Sequence, residues 1–124
     1  MARVLALVPD LLFGSRVQSA LAGSGYDVEL IADEPRLRER LADAGAPPVV
    51  VLVVDLTDGA LDGAGIVESL AGDDELRGAR TLGFYSHVDA PARERAEKAG
   101  FDVVVPRSRM AREGAQLVER LAGA

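Results

Sequence analysis

Apolar runs alternate with stretches of helical spacing about five times along this chain, a pattern that predicts a parallel sheet flanked by helices. The first run is Val4–Val8. Beyond Asp10, residues Phe13, Val17 and Leu21 fall at i, i+4 and i+8, predicting a helix to about Ala22 that Gly23 and Gly25 stop. Tyr26–Ile31 alternates apolar with acidic residues, as a half-exposed strand does. Pro35 opens a second helix with Leu37, Leu41 and Ala44 as its apolar face. Val49–Val54 is apolar at every position. Alternation there would mean one wet face, so its absence predicts a strand covered on both sides, central in the sheet.

A third helix is expected from Gly63 to about Ala71, with Ile66, Val67 and Leu70 inward, then a fourth strand at Thr81–Tyr85. The next helix begins near Asp89-Ala-Pro91 and offers only Ala92, Ala96 and Ala99 to a core. A helix burying three methyl groups is weakly held and free to move. Phe101–Pro106 forms the fifth strand, and Pro106, lacking an N–H, suits a sheet edge. Met110, Leu117, Val118 and Leu121 make the last helix amphipathic. With the second and fifth strands at the edges, right-handed crossovers give a five-stranded parallel sheet of order 2-1-3-4-5 with helices on both faces. Ligands bind such sheets beyond the carboxyl ends of the strands, where Pro9, Asp10, Asp55, Ser86 and Arg107 fall.

Composition narrows the partners. At 124 residues, 48% of them hydrophobic, the chain fits a single domain, 1–124, with a substantial core and no linker or repeat. A net charge of -6 without a local basic stripe argues against nucleic acid. The absence of cysteine excludes disulfides, thiolate zinc and a cysteine nucleophile. The apolar opening before Pro9 and Asp10 is too short for a secretory leader or a membrane span, so a cytoplasmic address and no membrane partner are expected.

At the strand ends, Asp10 and Asp55 would stand side by side, and two carboxylates repel unless a cation joins them. Hard oxygen donors suit Mg²⁺, which takes one or two carboxylates with waters and phosphate. An aspartate so placed can accept a phosphoryl group, with Ser86 donating to a phosphoryl oxygen and Arg107 supplying a cation. Each residue also has a plainer reading: Asp10 as a helix cap, and Asp55, Asp58 and Asp62 as a solvated acidic loop. Joint placement at one rim sets them apart.

The stretch Asp55-Leu-Thr-Asp-Gly-Ala-Leu-Asp62-Gly63 resembles the phosphoacceptor loop of response-regulator receiver (CheY-like) domains, where Asp-Gly follows the acceptor by seven and eight residues. Asp10 falls on the second residue of the family's acidic pair and Ser86 on its Ser/Thr switch position. Ala99-Gly100-Phe101-Asp102 resembles the family's Ala-Gly-Ala-Asp, and Arg107 falls on its lysine. The resemblance spans essentially the whole chain. It implies a single flavodoxin-like, CheY-like (βα)5 domain with Asp55 as phosphoacceptor, Ser86 and Arg107 assisting, and a weak Mg²⁺ site at Asp10, Asp55 and Thr57. The departures define an atypical receiver, or pseudo-receiver. Pro9 replaces an acid, Arg107-Ser108 replaces Lys-Pro, Gly59 replaces a loop proline, and Val103, Val104 and Val105 supply no aromatic switch. Arginine and lysine are not interchangeable at a phosphoryl site.

His87, the single histidine, reads as a solvent-facing loop residue; the sharper alternative sets it over the acidic pocket as a pH gate. Tyr85 reads as core-edge packing. Gly63-Ala-Gly65 lacks the third glycine of a dinucleotide fingerprint, Gly72-Asp-Asp-Glu75 is too thin for Ca²⁺, and Arg36, Arg38 and Arg40 read as a wet helix face. The expected function is that of a stand-alone receiver-like signalling module, not an enzyme, with Asp55 a degraded phosphoacceptor. Its partner would be a histidine kinase or a downstream signalling protein, docked on the face of the fourth helix, fifth strand and fifth helix, with a homodimer through the last helix as a further candidate. The alternatives are a constitutive scaffold with a vestigial acidic pocket, or a small-anion-binding α/β protein or enzyme using the same crevice. The last has least support, for want of a general base or a glycine-rich anion loop.

Overall fold

Each apolar run becomes a strand because its β-branched residues suit a pleated, covered surface, and each helical pattern becomes a helix that covers one side of it. The computed structural model describes residues 2–123. In chain order it contains β1 (Ala2–Leu7), α1 (Leu11–Gly23), β2 (Tyr26–Ile31), α2 (Glu34–Leu41), β3 (Val49–Asp55), α3 (Gly63–Gly72), β4 (Arg80–Tyr85), α4 (Ala90–Ala99), β5 (Val103–Pro106) and α5 (Arg107–Ala122). The strands form one sheet in the order β2-β1-β3-β4-β5, all neighbours parallel. This is the expected five-stranded flavodoxin-like arrangement, with β3 at its centre.

The two faces separate by strand parity. Val4, Ala6, Val51, Val53, Leu82 and Phe84 meet α1 and α5, while Leu5, Leu7, Leu52 and Val54 meet α2, α3 and α4. Four helices begin with an aspartate side chain accepting first-turn N–H groups: Asp10, Asp33, Asp62 and Asp89. Helix α5 starts directly after β5 at Pro106, with no side-chain cap.

Three expectations need correcting. Ala44 does not extend the α2 face; the helix ends at Leu41, and Ala44 is exposed in the turn toward Pro47-Pro48. Ala92 is only half-buried, so α4 rests on Ala96 and Ala99. Phe101 precedes β5, yet it is buried under α4 beside Gly83, where any β-carbon would stand 2.9 Å from its ring.

Polar clamps that no periodicity shows hold the frame. Arg3, buried in β1, donates to the carbonyls of Pro47 and Arg40 at 3.1 and 2.9 Å. Asp102 Oδ2 accepts from the N–H and hydroxyl of Thr81, and the Asp102 N–H donates back to the Thr81 hydroxyl, fastening the start of β5 to β4. Arg36, Arg38 and Arg40 are partly exposed but paired: Arg40 with Glu29 and Asp43, Arg38 with Glu34 and Asp73, Arg36 with Glu29 and Glu39. Among the described residues no helix is long and apolar enough to cross a membrane.

Candidate functional site

The carboxyl ends of β1, β3, β4 and β5 bring Asp10, Asp55, Ser86 and Arg107 to one rim of the sheet. Asp55 is the last residue of β3, paired with Phe84 of β4, and only 2% exposed. A carboxylate buried so deeply needs hydrogen bonds. Thr57 supplies two, its N–H at 2.7 Å and its hydroxyl at 2.6 Å, both to Oδ1. Oδ2 accepts none, yet among the described residues no buried side-chain oxygen is left without a partner, so Oδ2 is the oxygen that solvent reaches.

Asp10 does what its plainer reading proposed. Its Oδ1 accepts from the N–H groups of Leu12 and Phe13 at 3.0 and 3.2 Å, capping α1. Its Oδ2 accepts from Arg107 Nη2 at 3.2 Å. The Arg107 guanidinium also lies 4.2 Å over the Phe13 ring, a cation–π contact that a compact ammonium does not reproduce equally. Arg107 forms no ion pair with Asp55; its charge is drawn toward α1.

The donors left for a hard dication are therefore few. Position 9 is a proline, Asp10 is committed to its helix and to Arg107, and Asp55 Oδ1 is committed to Thr57. Among the described residues no cluster of three or more metal-ligating side chains forms. Mg²⁺ prefers an octahedral oxygen shell with carboxylates free to face it, and Asp10, Asp55 and Thr57 as arranged do not fit that requirement.

In front of these residues opens a cleft of about 590 Å³, lined by Phe13 and Arg16 of α1, Thr57, Ser86 and His87, and by Arg107, Ser108 and Ala111 of α5. Neither spacing nor motif ties Arg16 to the strand ends, and Ser108 reads in the sequence only as the replacement of a proline after Arg107. His87 is exposed on the turn after β4 and makes no ion pair among the described residues. Tyr85 is buried at the end of β4.

On the other side of the loop that follows β3, Asp62 caps α3 and forms a two-point ion pair with Arg95 of α4. The Arg95 hydrogen bond, then that from Gly65, hold the Asp62 carboxyl below the usual carboxylate range. Gly63 lies so close to β3 that a β-carbon would stand 2.7 Å from Val54, which accounts for glycine there.

No protein-family model and no curated protein matches the chain. Solved structures do match, along its whole length. A response regulator from Thermotoga maritima superposes with a TM-score of 0.82 at 14% identity, covering 100% of this chain and 99% of that one. The receiver domain of TorR, the response regulator of a TMAO respiratory system, gives 0.84 at 19% identity, covering 98% and 96%. The fold is that of a receiver domain. A response regulator from Burkholderia pseudomallei, bearing a phosphorylated aspartic acid and a calcium ion, gives 0.78 at 19% identity and covers 99% of this chain and 69% of that one. At such identities the likeness is one of fold.

Proposed function

We propose that the protein is a receiver-like signal-transduction module that acts through protein contacts, with Asp55 as a degraded phosphoacceptor. The receiver fold and the position of Asp55 at the end of the central strand support the signalling role. One observation carries the word degraded: the cation expected to meet a phosphoryl group on Asp55 is held instead by Asp10 and Phe13. Phosphoryl transfer depends on charge neutralisation at the transferred group, and here both the metal donors and the cation are spoken for.

The docking face is that of α4, β5 and α5. Strand β5 is a short edge, and α4 rests on two alanines plus the exposed Arg95–Asp62 pair. A histidine kinase or a downstream signalling protein is the partner class. The same engaged Arg107 favours one second reading, a constitutive interaction protein whose acidic pocket is vestigial.

The test is to add acetyl phosphate, or beryllofluoride, with Mg²⁺ and follow the amide resonances of Asp55, Ser86 and Arg107 together with the intact mass. A weak, saturable response that Asp55→Ala abolishes is expected. No response at millimolar Mg²⁺ transfers the assignment to the constitutive reading.

A further inference from the structure

The surface arginines divide by layer. On the side of α2, α3 and α4, residues Arg36, Arg38, Arg40, Arg93 and Arg95 each meet a carboxylate. On the opposite layer, Arg107 pairs with Asp10 and Arg109 with Glu113, but Arg16, Arg112 and Arg120 are exposed and form no ion pair among the described residues. Glu119, on the same layer, is exposed and equally without a cation. Arg112 reaches only the carbonyl of Ser108, from Nε at 3.4 Å.

Arg112 and Glu119 lie seven positions apart on α5, about two helical turns, and so share one face. The other positions of that face are small: Ser108, Ala111, Ala115 and Ala122. The face is left uncovered, since Ala111, Arg112 and Glu119 are exposed while Met110, Leu117, Val118 and Leu121 are buried against the sheet. A shallow groove of about 80 Å³ between α1 and α5, with Val17, Met110 and Gly114 in its wall, extends the same surface.

We propose that this face binds a second copy of the chain, the two α5 helices lying antiparallel about a two-fold axis between Ala115 and Gln116. A two-fold interface must be complementary to itself. Positions equally distant from that axis meet, so Arg112 of each copy faces Glu119 of the other. Parallel helices would instead set Arg112 against Arg112 and Glu119 against Glu119. A wholly acidic partner would satisfy Arg112 but repel Glu119, and the mixed signs therefore favour self-association. The small side chains let the two helices approach closely. The ion pairs lie at the surface and fix register and direction more than affinity. One helix face is small beside an ordinary stable interface, which makes the dimer weak and dependent on concentration. Asp55 takes no part, so the proposal does not rest on the phosphoacceptor reading.

Sedimentation equilibrium of the full chain at low salt, from micromolar to millimolar concentration, tests it. A monomer–dimer equilibrium is expected. Arg112→Glu and Glu119→Arg each place two like-charge contacts across the axis and should raise the dissociation constant about tenfold or more. The double variant exchanges the charges and should return the constant to near the parent value. Both side chains are exposed, so the circular dichroism of every variant should match the parent. A chain that stays monomeric at millimolar concentration, single reversals that leave the dimer intact, or an exchange that does not restore it would each overturn the proposal.

Discussion

Arg107 at the head of α5 and Asp10 at the head of α1 stand 97 positions apart in sequence and are joined at 3.2 Å. The contact couples the last helix to the first across the mouth of the site. It also pairs the rim's arginine with one of its two aspartates.

On the proposed function, changing these rim charges should raise phosphoryl uptake at Asp55. Replacing Arg107 with lysine removes the stacked guanidinium from Phe13 and frees Asp10, and Pro9→Asp returns a second carboxylate. The double variant should incorporate more phosphoryl group from acetyl phosphate and Mg²⁺ than the parent, read by intact mass. An unchanged level would show that the engaged cation is not what limits Asp55.

Among the described residues Thr57 is the sole hydrogen-bonding support of the Asp55 carboxylate, through N–H and hydroxyl. Thr57→Val removes the hydroxyl bond to a buried charge and should cost about 1.5–3 kcal/mol in urea unfolding. Thr57→Ser should keep most of that stability. If the two variants unfold alike, the hydroxyl is not a support.

Arg3 is 4% exposed and satisfies two carbonyls. Arg3→Met retains the apolar stem but orphans both acceptors. A loss of about 2–3 kcal/mol is expected, together with faster hydrogen exchange at the turn before Val49. Parent-like stability would mean that water replaces the guanidinium without penalty.

At Gly83 an added β-carbon would meet Leu56 at 2.8 Å and Phe101 at 2.9 Å. Both neighbours are held by the core, so Gly83→Ala should destabilise by about 1–3 kcal/mol through overpacking. Pairing it with Phe101→Leu should recover part of the loss, and strictly additive losses would argue against the clash.

The Arg95–Asp62 pair sets a pH dependence. The Asp62 carboxyl is held below its usual range, first by the Arg95 hydrogen bond. Its folded value thus lies beneath its unfolded one, so the stabilisation is present above about pH 4 and is lost as pH falls through the folded value. Both side chains are more than half exposed, which keeps the stability effect small. Amide shifts of Arg95–Ala99 should follow that titration and cease to do so in Asp62→Asn.

The legible parts of the sequence were those written in local periods. The uninterrupted run Val49–Val54 marked the central strand, and the aspartates at 10, 33, 62 and 89 sit where caps are needed. Helix spacing continues to Ala44, past the point where the backbone turns, so local period alone does not mark the end of α2. Hydrophobicity alone places Phe101 in a strand, although its burial comes from filling the space that Gly83 leaves open.

Periodicity and turn chemistry act over a few residues, and they determined the five strands, their order and the rim on which Asp10, Asp55, Ser86 and Arg107 meet. Where the long charged side chains went was decided only in the folded molecule. An arginine can reach any acceptor within its span, and the acceptors nearest in space to Arg3 and Arg107 lie far away in sequence. The same holds for Arg16 and Ser108, which share a cleft only because α1 and α5 pack on the same face of the sheet.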